Sequence, residues 1–231
     1  MKLLTISTAD WTERHLKRWI RKAKESNPNA ELYLVFIGDT CRYSDSFKAV
    51  KYYGEESHNR NFYNHVRMNA CEIFGVDEMV YCDCDADILG NLTWIDGIDK
   101  VPLRFVRSPA MHDDWVGVCK EAGWNKWEAN NGFLVLRSKD DFLLKMYEQA
   151  EKATDEDIKP NPRIRGTIAF NLMLRTNPYV WGELPYSTSV IWWDHENIMD
   201  AKTVQYCSDR GQEKREELEF LHEQNMYINS K

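Results

Sequence analysis

The chain has 231 residues, the length of one ordinary domain or at most two small ones. Its hydrophobic fraction of 43% is enough for a buried core without disulfide or metal support. Acidic residues outnumber basic ones by 37 to 30, for a formal net charge of −7, which argues against a nonspecific nucleic-acid-binding protein. Aromatic residues make up 13% and include nine tryptophans, which indicates either an aromatic core or a binding face.

The chain carries no obvious targeting or membrane signal. The apolar run at residues 3–6 is too short for a signal peptide, and no segment approaches the length of a transmembrane helix. The six cysteines are scattered and include no Cys-x-x-Cys pair with zinc spacing. We therefore expect a cytoplasmic protein with free thiols, no integral membrane segment and no nucleic-acid partner.

The first third of the chain alternates between strand and helix patterns. Apolar residues predict strands at 3–6, 31–37 and 79–81. Helical periodicity covers 16–23, where Asn27-Pro28 ends it, and again 62–73, where Gly75 ends it. This order predicts an α/β fold with a mainly parallel central sheet flanked by helices. Ligands of such sheets bind beyond the carboxyl ends of the strands.

The second half shows weaker patterns, with no internal repeat and no linker, so we expect one domain over residues 1–231. The last twenty residues have the composition of a solvated helix. The other predicted elements are strands at 103–106 and 133–136, a helix over 142–147 capped by Ser138, an exposed loop at 154–162 and a short helix at 169–174.

An acidic cluster follows the third predicted strand, at residues 80–88. Asp83, Asp85 and Asp87 alternate there, and in an extended backbone Asp83 and Asp85 would share one face and converge. Converging carboxylates repel each other unless one is protonated or a cation lies between them. Oxygen ligands favour Mg²⁺, Mn²⁺ or Ca²⁺, and such a metal commonly holds a diphosphate.

Three alternatives to a metal–diphosphate site have a similar acidic pattern. An EF-hand loop is excluded, because its sixth and twelfth positions hold Ile88 and Trp94 instead of glycine and glutamate. A phosphatase with an aspartyl nucleophile usually has its Asp-x-Asp after the first strand, whereas much α/β structure precedes Asp83 here. An acidic strand end that merely faces solvent stays open on these residues alone.

Several segments together resemble the glycosyltransferases of family 8, which include glycogenin and bacterial lipopolysaccharide galactosyltransferases. Residues 81–85, followed by Gly90-Asn91-Leu92, are similar to the family's Tyr-Leu-Asp-x-Asp and Gly-Asp-Leu segments. The further similar segments, in the family's order, are Thr8-Ala9-Asp10-Trp11, the helix start at 60–66 with Arg60 and His65 as its basic residues, Asn130-Asn131-Gly132-Phe133-Leu134 and Leu184-Pro185.

The resemblance implies a single-domain GT-A fold and transfer of a hexose from a nucleotide-diphosphate sugar, such as a UDP-sugar, to a hydroxyl of a glycan or other acceptor. It also implies Mn²⁺ or Mg²⁺ and retention of the anomeric configuration. Residues 1–92 would form the nucleotide-binding part and 93–231 the acceptor and donor-sugar part. Asp83 and Asp85 would hold the metal. The implied donor-binding residues are Thr8, Ala9, Asp10, Trp11, Arg60, Asp83, Cys84, Asp85, Asn130, Asn131 and Gly132.

The sequence departs from the family at two places. The stretch 166–171 lacks the family's Asp-Gln-Asp, and Gln205 stands where the family has a metal-binding histidine. The third metal ligand is therefore open between His195, Gln205 and water, and no residue is identified as base or nucleophile. These departures keep open the hypothesis of a non-catalytic sugar-nucleotide or glycan-binding protein on the same fold. The acidic strand end also leaves open an Asp-x-Asp phosphatase or nucleotidyl transferase.

Overall fold

The structure is a computed structural model. The residues that it describes are 1–11, 15–54, 60–108, 111–138, 140–162, 164–194, 200–207, 210–217 and 220, with Arg60 and Asn61 described only in their backbone. No helix among these residues is both long enough and apolar enough to cross a membrane.

Within the described residues, seven strands form the central sheet in the order β3-β2-β1-β4-β7-β6-β8. Neighbouring strands from β3 to β4 are parallel, and so are β6 and β8, whereas β7 runs antiparallel to both of its neighbours. A smaller sheet has the order β5-β10-β9. The strands are β1 Lys2–Thr8, β2 Glu31–Ile37, β3 Ala49–Tyr53, β4 Met79–Cys82, β5 Ala86–Ile88, β6 Leu103–Arg107, β7 Ala129–Leu136, β8 Trp181–Glu183, β9 Val190–Ile191 and β10 Thr203–Gln205.

Helices cover both faces of the central sheet, because alternate residues of the buried strands point to opposite sides. Leu4 and Ile6 of β1 lie in the core cluster that contains buried residues of α2, α3, α5 and α6. Leu3 lies in the opposite cluster with Trp19 and Ile20 of α1. The α-helices are α1 Lys17–Ser26, α2 Arg60–Met68, α3 Ala70–Phe74, α4 Asp113–Glu121, α5 Phe142–Ala153 and α6 Arg165–Thr176.

The expected α/β architecture with a mainly parallel sheet is confirmed. All five predicted strands are present, and α1 ends where Asn27 follows it; the Asn27 backbone N–H donates to the Ala23 carbonyl oxygen at 2.9 Å. The Asn27 side-chain oxygen also accepts a 2.8 Å bond from the Leu92 N–H. This residue therefore ends the helix and ties it to the segment that follows β5.

Four local predictions need correction. The helix predicted over 62–73 is broken into α2 and α3 at Asn69, whose φ of −108° and ψ of 9° are not helical. Ser138 does not cap α5, which begins at Phe142 after Asp141. Residues 154–158 are helical and do not form a loop, although residues 155–157 are exposed as predicted. Thr154 is buried, and its hydroxyl donates to the Ala150 carbonyl oxygen at 2.8 Å. The short helix predicted at 169–174 extends over all of α6.

The predicted C-terminal helix is only partly covered by the structure. Residues 210–217 are helical, whereas 218–219 and 221–231 lie outside the described residues. The described part is not wholly solvated, since Arg215 is 2% exposed.

Candidate functional site

A cleft with a volume of about 510 Å³ opens at the carboxyl ends of β1 and β4. This edge is where ligands of open α/β sheets bind. Five of the implied donor-binding residues line the cleft, together with the ends of both strands and one face of α2. The described lining residues are Ile6, Ser7, Thr8, Trp11, Tyr63, Arg67, Tyr81, Asp83, Cys84 and Asp85.

The two aspartates are brought together by a turn, which corrects the expectation of an extended strand. β4 ends at Cys82, and the Ala86 N–H donates to the Asp83 carbonyl oxygen at 3.0 Å, which closes a turn over Asp83–Ala86, here called the acidic turn. The chain turns here because its pairing partner changes. The Asp83 N–H still bonds the Gly132 carbonyl oxygen of β7 at 2.8 Å, whereas β5 pairs with β10.

Asp83 is held by three side chains. Its Oδ1 accepts a 2.8 Å bond from Arg67 Nη2 and a short bond from the Tyr81 hydroxyl, and its Oδ2 accepts a 2.8 Å bond from Gln205 Nε2. Burial by itself would lower the pKa of Arg67, but the contacts with Tyr81 and Asp83 raise it instead. Arg67 and Asp83 therefore form a charged pair in the wall of the cleft.

Asp85 is buried and has an oxygen that receives no hydrogen bond. The residue is 9% exposed, and its Oδ1 has no hydrogen-bond partner among the described residues. Burial, followed by the neighbouring charge of Asp83, raises the pKa of Asp85 to about 7. A buried carboxylate oxygen without a donor is costly, so this geometry suits a group that brings positive charge.

The segment Asn130–Gly132 lies beside the acidic turn, at the start of β7. The Asn130 side chain accepts from the Gly132 N–H at 2.8 Å and donates to Gln205 Oε1 at 2.7 Å. Asn131 Nδ2 donates to Asn64 Oδ1 at 3.3 Å. A Cβ on Gly132 would lie 2.0 Å from Gln205 Nε2, so this close approach requires glycine. Gln205 thus connects the β7 segment to the acidic turn.

The opposite wall of the cleft follows β1. Thr8 is buried at the end of this strand, and a 3₁₀ turn carries the chain onward. Trp11 lines the cleft and is 40% exposed, and its ring centroid lies 4.6 Å from that of His15. Ala9 and Asp10 are exposed and are not among the described residues that line the cleft. Trp11 is therefore the aromatic surface that this wall presents.

Helix α2 contributes residues that the sequence reasoning missed. Tyr63 and Arg67 lie one helical turn apart and both line the cleft. His65, which stands at the second basic position of the family's helix start, contacts Glu151 of α5 at 2.9 Å. The Arg60 side chain and all of His195 lie outside the described residues. The available signal for Arg67 was its four-residue spacing from Tyr63, which places both on one helix face.

The tryptophans divide between core and cleft. Trp19 and Trp115 are fully buried, and Trp127 is 9% exposed. The guanidinium carbon of Arg175 lies 3.8 Å from the Trp127 ring centroid, a distance typical of a cation–π contact. These three rings belong to the core. Trp11, in contrast, lines the cleft.

Comparison with known proteins identifies the fold. No known family profile matches the sequence, and no curated protein sequence matches it. Among solved structures, a galactosyltransferase, LgtC, in complex with donor and acceptor sugar analogues matches with a TM-score of 0.60 and 12% identity, over 90% of this chain and 88% of that one. The glycosyltransferase GlyE of Streptococcus pneumoniae TIGR4 matches with a TM-score of 0.62 and 14% identity, over 90% of this chain and 54% of that one. Mouse xyloside xylosyltransferase 1 matches with a TM-score of 0.57 and 10% identity, over 89% of this chain and 97% of that one.

The chain therefore has the GT-A fold of glycosyltransferases, as the sequence resemblance implied. At 10–14% identity the likeness shows the fold, and the chemistry has to be argued from the residues of the cleft.

Proposed function

We propose that this protein is a glycosyltransferase that transfers a hexose from a nucleotide-diphosphate sugar, with UDP as the nucleotide, to a hydroxyl of a glycan or other acceptor. The observation that carries the proposal is the position of the acidic turn. Two carboxylates, one with a buried oxygen that no described donor reaches, lie in a cleft at the carboxyl ends of β1 and β4 in a GT-A fold.

The acidic turn fits a divalent cation, for which we propose Mn²⁺ or Mg²⁺. Asp85 offers its Oδ1, and Asp83 retains lone pairs beside the bonds that it accepts. No third His, Cys, Asp or Glu joins them within the described part of the chain. Gln205 Oε1 accepts from Asn130 in this arrangement, so the third ligand is water, a rotated Gln205 amide or His195. When held by Asp83 and Asp85, the cation would supply positive charge that stabilises the departing diphosphate.

The other residues of the cleft suit the remainder of such a donor. The partly exposed Trp11 ring offers a face on which a nucleobase stacks. Arg67 adds a fixed positive charge beside the diphosphate position, where it stabilises negative charge that develops on the leaving group. Asn130 and Asn131 offer their remaining amide hydrogens and lone pairs to hydroxyls of the donor sugar.

The rest of the implied donor set belongs to the proposal as well. Thr8 and Cys84 contribute to the walls of the cleft, and Gly132 allows the close approach of Gln205. Ala9, Asp10 and Arg60 remain proposed donor contacts.

The proposal also covers the division of the domain into two parts and the cellular compartment of the protein. Residues 1–92 would supply the nucleotide-binding part of one domain and 93–231 the acceptor and donor-sugar part, with retention at the anomeric carbon. All six cysteines, each within the described residues, have free thiols. Free thiols are typical of a reducing compartment, which supports the cytoplasm.

Turnover of nucleotide sugars tests the proposal. We expect release of nucleoside diphosphate from at least one nucleotide sugar in the presence of Mn²⁺ or Mg²⁺, and a loss on the order of 10²-fold or more in Asp85→Asn. The matched control is Asp96→Asn, because Asp96 is exposed and lies outside the cleft. This variant should keep wild-type turnover, and NMR of the first product reads the anomeric configuration.

Two other results would replace the proposal. Tight binding of a nucleotide sugar without any turnover across a panel of acceptors would indicate a non-catalytic sugar-nucleotide-binding protein. Release of phosphate from simple phosphomonoesters, with no preference for nucleotide sugars, would indicate a phosphatase.

A further inference from the structure

A buried arginine lies directly behind the acidic turn. Arg215, in the helical segment 210–217, is 2% exposed. Its Nη1 donates to the Cys84 carbonyl oxygen and its Nη2 to the Ala86 carbonyl oxygen, both at 3.0 Å. The carbonyl oxygen between them, that of Asp85, accepts from the Tyr206 N–H at 3.1 Å. Three consecutive carbonyl oxygens of the turn are therefore bonded by Tyr206 and Arg215.

A second arginine, Arg18, donates to the same carboxylate as Arg215, that of Asp87. Asp87 accepts from Arg215 Nε at 3.1 Å and Nη2 at 2.9 Å, and from Arg18 Nε at 2.8 Å. Arg18 Nη1 donates to the Arg215 carbonyl oxygen at 2.8 Å, whereas the corresponding nitrogen of Arg215 donates to the acidic turn. Both side chains are almost completely buried. Arg18 therefore supplies a matched reference for the structural role of this ionic cluster.

Arg215 also contacts the aromatic wall of the cleft through His15. The distance between Arg215 Nη1 and His15 Nδ1 is 3.0 Å. A guanidinium has donors and no acceptor, so in this contact Arg215 Nη1 donates and His15 Nδ1 accepts. The His15 ring packs against Trp11 with centroids 4.6 Å apart. One arginine side chain thus contacts the acidic turn directly and the Trp11 wall through one imidazole.

We propose that Arg215 is a positioning residue for the donor site, which fixes the acidic turn and, through His15, the orientation of Trp11. The helical segment 210–217 is then a component of the site, although Arg215 is not among the residues that line the cleft. This inference rests on the proposed function for the identity of the donor. The positioning itself is a property of the chain and can be measured without turnover.

The test compares Arg215→Met with Arg18→Met, which remove a buried guanidinium from the same cluster. We expect hydrogen exchange in a peptide covering 80–90 to accelerate at least tenfold more in Arg215→Met than in Arg18→Met. The donor KM should rise at least tenfold in Arg215→Met with a smaller change in kcat, and stay within about threefold of wild type in Arg18→Met. Should Arg215→Met not fold, Arg215→Lys carries the same comparison, because one ammonium cannot reach both carbonyl oxygens, His15 and Asp87 together.

His15→Ala separates the two halves of the proposal. This variant should raise the donor KM through Trp11 while exchange over 80–90 stays close to wild type. The positioning role would be overturned if hydrogen exchange and donor KM changed in the same way in the Arg215 and Arg18 variants. In that case each change would follow only the loss of unfolding free energy of the variant. Failure of wild-type protein to turn over any nucleotide sugar would refute the proposed function instead, and the exchange comparison would still decide on Arg215.

Discussion

Substitution of Gly132 by alanine probes the contact between β7 and the acidic turn. The added Cβ would lie 2.0 Å from Gln205 Nε2 and 2.6 Å from Asp83 Oδ2, so both side-chain ends must move. The bond that is lost joins Gln205 Nε2 to the Asp83 carboxylate at 2.8 Å. A hydrogen bond to a charged group contributes about 1.5–3 kcal/mol. Because alanine is better than glycine in a strand by roughly 0.5–1 kcal/mol, the expected net loss of unfolding free energy is about 1–2 kcal/mol.

The effect on donor use should exceed the effect on stability, because Asp83 loses one of the contacts that orient it. If the full free energy of this hydrogen bond is lost from donor binding, kcat/KM falls by about 10- to 100-fold. Chemical denaturation and steady-state kinetics measure the two quantities. Gly117→Ala in α4 is the control, since nothing lies within 4 Å of its Cβ position, and it should gain about 0.5–1 kcal/mol. Unchanged stability and kcat/KM in Gly132→Ala would refute this reasoning.

Three further predictions concern the base, the core and the metal. Trp11→Ala should weaken UDP binding in calorimetry by about 1–3 kcal/mol, because the nucleobase loses its stacking partner. Trp193→Ala is the control, since Trp193 is 42% exposed and Trp11 40%, and it should leave UDP binding unchanged. Equal effects of the two substitutions would argue against a nucleobase at Trp11. Phe105→Ala should lower the unfolding free energy by about 3–5 kcal/mol, because Phe105 is fully buried and its ring centroid lies 5.6 Å from that of Trp127; a loss below about 1 kcal/mol would contradict the packing. Chelation by EDTA should abolish turnover and added Mn²⁺ should restore it, and full activity in EDTA would rule out the proposed cation.

The fold of residues 1–92 was largely predictable from the sequence. Strands such as 31–37 are continuous apolar runs, and α1 has one buried stripe and a clear stop at Asn27. These patterns arise from residues that are close together in the sequence, so they predict strands and helices without knowledge of tertiary contacts. Five strands were missed, namely β3, β5 and β8 to β10. All of these except β3 have only two or three residues, which carry no periodicity.

The candidate site was predictable in its residue types and less so in its geometry. The acidic cluster indicated carboxylates at the end of a strand, but the turn over Asp83–Ala86 depends on pairing with β7 and β10, which are distant in sequence. The ion pair between Arg67 and Asp83 joins residues that are 16 positions apart in the sequence. The bonds from Arg215 to the acidic turn join residues that are more than 120 positions apart. Such contacts leave no pattern in a single sequence.

Tryptophan side chains occupy both the core and the cleft, so the high tryptophan content does not indicate one of these locations alone. Trp19, Trp115 and Trp127 fill the core, and Trp11 lies in the cleft. The formal charge of −7 is compatible with an anionic donor, because a bound cation and Arg67 can supply positive charge locally.

Binding of a nucleotide sugar in the cleft is tested most directly by thermal unfolding with a panel of nucleotide sugars, each with and without Mn²⁺. At a hundred times its dissociation constant, a bound donor adds about 2.7 kcal/mol, which for a domain of this size raises Tm by about 5 to 11 °C. We expect such a shift for at least one UDP-sugar in the presence of Mn²⁺, a much smaller one without the metal, and none in Asp85→Asn. The absence of any shift in wild-type protein, with metal present and every nucleotide sugar tried, would contradict a donor site at the acidic turn.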